Sequence, residues 1–194
     1  MPTTATSFLS TLKRKDRSVY FAALENGDTE NWFGPLIAAD PSEPTVPTDL
    51  ALTLTHLDRA AGGAAQLRVA LQGVTTDGDA DHRVGVLVNG TEVGEVAFRG
   101  RAHTEQTFAV ALPVLVDGEN TVRFIARGGV DVSLVDVISL SYPHTYDADA
   151  DRVRATVEGP GRVTIGGFAS RSIRVVDITD RAAPVELSGT VGPE

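Results

Sequence analysis

Two runs of aspartate are spaced for chemistry: Asp77-Gly78-Asp79-Ala80-Asp81 and Asp147-Ala148-Asp149-Ala150-Asp151. Carboxylates at alternate positions converge on one side of an extended or looped backbone, which is how a hard cation such as calcium gathers oxygen ligands. Counted from Asp147, Glu158 falls at the twelfth position, where an EF-hand loop places its bidentate ligand. Arg152, however, occupies the position where that loop turns on glycine, and no helical pattern flanks the run. The first run has neither the glycine nor the glutamate at the matching places. Asp77, Asp79, Asp81, Asp147, Asp149 and Asp151 are therefore candidate calcium ligands. Two acidic, solvated loop tips with no cofactor are the simpler expectation.

The catalytic patterns are missing. Serines and four histidines (His56, His82, His103 and His144) are present, but no Gly-x-Ser-x-Gly elbow exposes a nucleophile. A Ser-His-Asp grouping would have to be assembled in space. His56 and His82 flank strand runs and read as surface or strand-edge residues. His103-Thr104-Glu105 misses the His-Glu-x-x-His spacing that sets two imidazoles and a base on one helix face. Gly159-Pro160-Gly161 lacks the third glycine of a dinucleotide loop and reads as a turn. The chain has no cysteine, which removes disulfides, thiolate metal sites and thiol nucleophiles together. No catalytic residue is expected.

Sugar recognition is the remaining specific chemistry. Exposed aromatic rings cover apolar sugar faces while neighbouring polar side chains hold hydroxyls. Trp32, Phe33, Tyr142 and Tyr146 are the aromatic candidates, in a chain where aromatics are only 6% and most are needed in the core. Trp32 and Tyr146, with His82 and Arg83 as polar partners, are the candidate ligand residues. The competing reading has Trp32-Phe33-Gly34-Pro35 plugging one end of the fold. Asn89-Gly90-Thr91 matches a glycosylation acceptor, yet a hairpin turn already accounts for its asparagine and glycine.

The elements that must position these groups are strands. Leu50, Leu52 and Leu54 alternate with smaller or polar residues, as do Leu67, Val69 and Leu71, then Val84, Val86 and Val88. Asn89-Gly90 supplies a two-residue turn in which both central residues take positive φ. Similar runs follow at 93–98, 108–112, 122–126, 134–142, 153–157, 163–168, 173–176 and 185–187, with glycine-rich breakers between them. About a dozen short strands at near-regular spacing predict an all-β fold, a β-sandwich or jelly roll of galactose-binding-like shape. Residues 40–49 carry Pro41, Pro44 and Pro47 and read as an extended connection.

Charge and length narrow the partners. The 194 residues can bury a substantial core unaided. Their net charge of −9 repels phosphate backbones, so no nucleic acid is expected. Lys13-Arg14-Lys15 with Arg17 is the one basic cluster, and it reads as a solvated lead-in. The apolar runs are too short to cross a bilayer, so no membrane insertion is expected. Residues 1–10 carry no export signal, which fits either an intracellular protein or an internal segment of a longer exported chain. The expected organisation is an N-terminal arm over 1–17, a β-sandwich over 18–143, and a small β appendage or exit strands over 144–194.

The stretch Val19-Tyr20-Phe21-Ala22-Ala23-Leu24-Glu25-Asn26-Gly27, continuing Asp28-Thr29-Glu30-Asn31-Trp32-Phe33-Gly34-Pro35, has a family resemblance. It resembles the segment preceding the catalytic domain in bacterial gingipain-like (C25 family) cysteine peptidases and related multidomain exported proteins. Asp81-His82-Arg83-Val84, Leu134-Val135-Asp136 and Ser141-Tyr142-Pro143-His144-Thr145-Tyr146 fit the same pattern. So do Val88-Asn89-Gly90, Gly167-Phe168 and Ile173-Arg174-Val175-Val176-Asp177-Ile178-Thr179. The family's catalytic cysteine has no counterpart here. The resemblance implies a non-catalytic accessory module of an extracellular or cell-surface protein, whose partner is a neighbouring domain of the same polypeptide, a peptidase. The alternative is a carbohydrate-binding module with a glycan as partner.

Overall fold

The computed structural model describes residues 6–25, 27, 29–76, 81–157 and 162–192. Strands β1 (Ser7–Arg14), β2 (Val19–Tyr20), β3 (Trp32–Phe33), β4 (Leu36–Ala39) and β5 (Thr48–Leu54) come first. Then follow β6 (Ala64–Gly73), β7 (Asp81–Val88), β8 (Thr91–Arg99), β9 (His103–Ala111) and β10 (Gly118–Ala126). The last are β11 (Asp131–Thr145), β12 (Val175–Asp177) and β13 (Val185–Leu187). Among the described residues there is no α-helix, only the short 3-10 turn Leu112–Val114. The protein is all-β.

Two antiparallel sheets carry the larger unit, Thr6–Thr145. One has the order β1-β11-β6-β9, with β4 also on β11; the other runs β5-β10-β7-β8. Strand alternation makes the core. Leu67, Val69 and Leu71 of β6 point inward with Val84, Val86 and Val88 of β7, and all are buried, while Gln66 and Arg68 point out. Leu50, Leu52, Leu54, Val122, Phe124, Ile138 and Leu140 complete the same cluster. The β7–β8 turn is the expected one: Asn89 and Gly90 have φ of 48° and 81°.

The 15-residue strand β11 organises this unit. Its one edge pairs β6, and its other edge is shared, with β4 along Asp131 to Leu134 and β1 along Ile138 to Thr145. Between those two partners the β11–β6 register slips, with Val135 opposite Leu71 but Val137 opposite Ala70. Asp136 is the extra residue of this β-bulge. A bulge re-aims side chains, and here it moves the inward row from Asp131, Ser133 and Val135 to Ile138, Leu140 and Tyr142, with Asp136 on the outer face between them.

Residues 7–14, expected within an N-terminal arm, form β1 instead. Phe8 is buried and Leu12 packs on the core, and the free edge of β11 supplies the ladder that a solvated lead-in would lack. The smaller unit runs from Tyr146 onward. The strands expected over 153–157 and 163–168 do not form; the latter contributes a single bridge, Gly166 to Asp147. Only the β12–β13 hairpin is regular, and all six of its residues are exposed. So few residues bury too little apolar surface to hold a full sheet.

Candidate functional site

Two polar clusters of the larger unit hold histidine–aspartate pairs, one inside the sandwich and one on its outer surface. Inside, His82 continues the inward row of β7 past Val84. Asp131 and Ser133 stand on the inward row of β11 opposite it. His82 Nδ1 lies 2.6 Å from Asp131 Oδ1, and its Nε2 lies 2.8 Å from the Gly100 carbonyl oxygen. Ser133 Oγ lies 3.0 Å from the same Nδ1 and donates to Asp131 Oδ1 at 3.3 Å. The Arg83 amide donates to Asp131 Oδ2 at 3.2 Å. Phe98 stacks on the imidazole with ring centroids 4.4 Å apart. Gly73 of β6 closes the other side: a Cβ there would lie 1.9 Å from the Gly100 oxygen and 2.8 Å from His82 Nε2.

This is a Ser, a His and an Asp in contact, yet it is not a relay. In a hydrolytic triad the carboxylate takes one imidazole nitrogen and the hydroxyl the other. Here serine and aspartate crowd the same nitrogen, and a backbone carbonyl consumes the second. The side chains of His82 and Asp131 are 0% and 1% exposed, which shields the pair from solvent. The cluster ties the two sheets together at one end of the core.

On the outer surface the bulge residue Asp136 begins a chain of charges. Its Oδ2 accepts from His103 Nε2 at 3.0 Å and its Oδ1 from Lys15 Nζ at 2.8 Å. Lys15 also reaches Glu30 Oε1 at 2.7 Å, and Arg17 meets Glu30 Oε2 at 3.0 Å. Arg68 and Glu105 form a two-pronged pair on the same face. Burial opposes ionisation of Asp136, but the bonds from Lys15 and His103 outweigh it and hold its carboxyl below the usual range. The bond to Asp136, then that to Glu30, raises Lys15. Lys15 and Arg17 in turn lower Glu30. The basic cluster expected to be a solvated lead-in is thus largely paired, since Arg14 also binds Asp16 at 2.8 Å.

Beside this network stands the β2–β3 hairpin. Tyr20 pairs directly with Trp32, and Val19 with Phe33. Alternation sends Asn31 and Phe33 inward and Glu30 and Trp32 outward. Phe33 is 3% exposed, whereas Trp32 and Tyr20 are 42% and 57% exposed. Their ring centroids lie 5.2 Å apart, with the planes at 53°. One outward face therefore carries two aromatic rings and, two residues along, the Glu30 carboxylate held by Lys15 and Arg17.

The residues singled out by type scatter over the molecule. Phe33, not Trp32, plugs the fold. Tyr142 is buried, its hydroxyl donating to the Thr55 carbonyl at 3.0 Å. Tyr146 is buried and donates to the Thr156 carbonyl at 2.9 Å. His82, read as a strand-edge group, lies in the core, while the Arg83 guanidinium turns out to Glu95 at 2.8 Å. An open recess of about 410 Å³ is lined by His82, Arg83, Ala97, Phe98 and Arg99.

Among the candidate calcium ligands, Asp77 and Asp79 lie outside the described residues, as does the side chain of Asp81. Asp149 and Arg152 exchange backbone bonds around Ala150 and Asp151, both at positive φ, so a tight turn interrupts the alternation. Asp151 Oδ1 accepts from the Ala169 amide at 2.6 Å. Among the described residues no three His, Asp or Glu side chains are grouped to hold a metal ion. Asp131, Ser133, Asp136, Lys15, Glu30 and Tyr20 were not singled out from the sequence. The one available signal was a carboxylate set within an apolar strand, as at Asp131 and Asp136.

No protein-family model matches the chain, and neither does any curated protein. Solved structures do. The dimeric latent PorU of Porphyromonas gingivalis superposes with a TM-score of 0.59 at 9% identity, over 82% of this chain and 15% of that one. This chain thus spans a small part of PorU's length. A carbohydrate-binding module CBM36, solved with calcium and xylotriose, aligns at a TM-score of 0.39 and 13% identity, over 68% of this chain and 98% of its own. A Podospora anserina GH26-CBM35 β-(1,4)-mannanase aligns at 0.41 and 17%, over 74% and 29%. At such identities the PorU likeness is one of fold.

Proposed function

We propose that this chain is a non-catalytic β-sandwich module of an exported bacterial protein, acting on the cell surface or outside it beside a gingipain-like cysteine peptidase. The observation that carries the reading is the sealed cluster. Buried Ser133, His82 and Asp131 meet with the wrong connectivity for a relay and are all but unexposed, so the polar chemistry of this cluster is spent on architecture. The association is supported by PorU, where a comparable fold makes up a small part of a long chain, and by the resemblance of residues 19–35 to the segment before such peptidases. No described helix is long and apolar enough to cross a membrane.

A fluorophosphonate probe is expected to label nothing in the purified chain, and ester and peptide substrates to show no turnover. Stoichiometric labelling of Ser133 would sink the non-catalytic part. A genome in which neither this reading frame nor its neighbours encode a cysteine peptidase domain would remove the association. A second reading, glycan binding, is favoured by the exposed Tyr20–Trp32 pair.

A further inference from the structure

We propose that the outward face of the β2–β3 hairpin is a binding site for a soluble chain of neutral pyranoses. Tyr20 and Trp32 stack on sugar faces, and Glu30 and Arg17 hold hydroxyls. The inference rests on the second reading above and gives it a location; its failure would leave the non-catalytic module intact.

Exposed aromatics of this size are unusual unless a partner covers them, because each leaves a large apolar ring in water. The rest of the hairpin shows that this exposure is not a packing accident. Phe33, one residue along, is fully used in the core, and Phe21 carries the Arg101 guanidinium 5.7 Å above its ring. Arg101 also donates to the Ala23 carbonyl at 3.1 Å, and Asn31 Nδ2 to the Leu24 carbonyl at 2.8 Å. Residues 23 and 24, just past the first strand, are thereby tied to Arg101 and to Asn31 beside the second. Such a platform is preorganised, so a ligand loses little of its binding energy to ordering it.

What distinguishes a sugar from a generic apolar partner is the mixture on one face. A pyranose has an apolar C–H side for a ring and a rim of hydroxyls for charged groups. Glu30 accepts from Lys15 and Arg17 and is fixed in place by them, while the Arg17 side chain stays 58% exposed. A hydroxyl bonded to an ionised group is held more strongly than one bonded to a neutral group. The net charge of −9 disfavours a uronate or sulfated chain. The 53° between the rings excludes a flat crystalline polysaccharide, which needs coplanar rings, and suits a chain that turns between successive sugars.

Trp32 is the only tryptophan in the chain, so selectively excited tryptophan emission reports on this site alone. Titration of the full chain with xylohexaose, mannohexaose and cellohexaose is expected to give a saturable shift with at least one of them. Calorimetry should show Trp32→Ala and Tyr20→Ala each weakening that binding about tenfold or more, as for buried aromatic anchors elsewhere. Glu30→Gln, nearly isosteric, should weaken it several-fold while leaving the melting temperature within a few degrees, which keeps the test valid if an aromatic variant misfolds. No shift with any hexaose up to about 5 mM, a limit set by a free energy of a few kcal/mol, overturns the site. So does binding that survives both aromatic substitutions, or binding to crystalline cellulose alone.

Discussion

The sealed cluster and the outer network are built from the same side-chain chemistry and differ in what surrounds it. His82–Asp131 and His103–Asp136 are both imidazole–carboxylate pairs, at 2.6 and 3.0 Å. The first lies between two sheets, with every polar atom satisfied by serine, a carbonyl and an amide. The second lies on a bulge, where its histidine is 48% exposed and its carboxylate hands on to Lys15 and then to the aromatic hairpin. Inside, low dielectric and full satisfaction make a rigid tie between sheets. Outside, water screens each pair, and what remains is a fixed pattern of donors and acceptors that a ligand can read. Position in the fold, rather than residue type, separates structure from recognition here.

The contrast is sharpest in the cost of removing one partner. Asp131→Ala would strand His82 and the Arg83 amide in the core, and breaking a buried pair costs about 3–5 kcal/mol. Against a total stability of about 5–15 kcal/mol, this variant is expected to unfold at markedly lower urea concentration. A loss below about 1 kcal/mol in urea melts would show that the cluster does not tie the sheets.

Asp136→Asn tests the outer network and should cost less, about 1–2 kcal/mol at neutral pH. Its pH dependence carries a second signature. Because the folded-state pKa of Asp136 is depressed, the unfolded chain binds more protons near pH 4. The stabilisation is therefore full above the ordinary carboxylate range and is lost as pH falls through the lower folded value. The variant should show a shallower fall in stability below about pH 4 than the parent. Identical acid limbs would rule out this role for the bulge.

The smallest effect is expected at Arg123→Ala. Its guanidinium spans 2.7 Å to both oxygens of Asp49, holding that carboxyl low, but both side chains are over 40% exposed. A pair so open contributes little and should lose what it has in high salt. A shift of the urea midpoint as large as that of Asp136→Asn would mean that exposure is a poor guide to the outer network as well.

Much of the fold was legible from alternation. The rows of β5, β6, β7 and β10 and the Asn89-Gly90 turn follow from period-two burial and from a turn that needs positive φ. The candidate surface was only half legible. Trp32 stood out by type, but its partner Tyr20 lies twelve positions earlier and is brought alongside by a ladder of two residues per strand. Nothing in the type or spacing of Glu30 marked it, because Lys15 and Arg17 close on it only in the fold.

The sequence by itself determined that the chain is all-β, acidic, without cysteine, and free of known catalytic motifs, because those properties reside in composition and in local period. Only the tertiary structure decided which polar residues meet. His82 and Asp131 are 49 positions apart, and Lys15 and Asp136 are 121 apart. No local pattern encodes such pairings, since they depend on how strands stack and on one slipped register in β11. That slip moves the inward row of β11 from Val135 on to Ile138 and leaves Asp136 on the outer face between them.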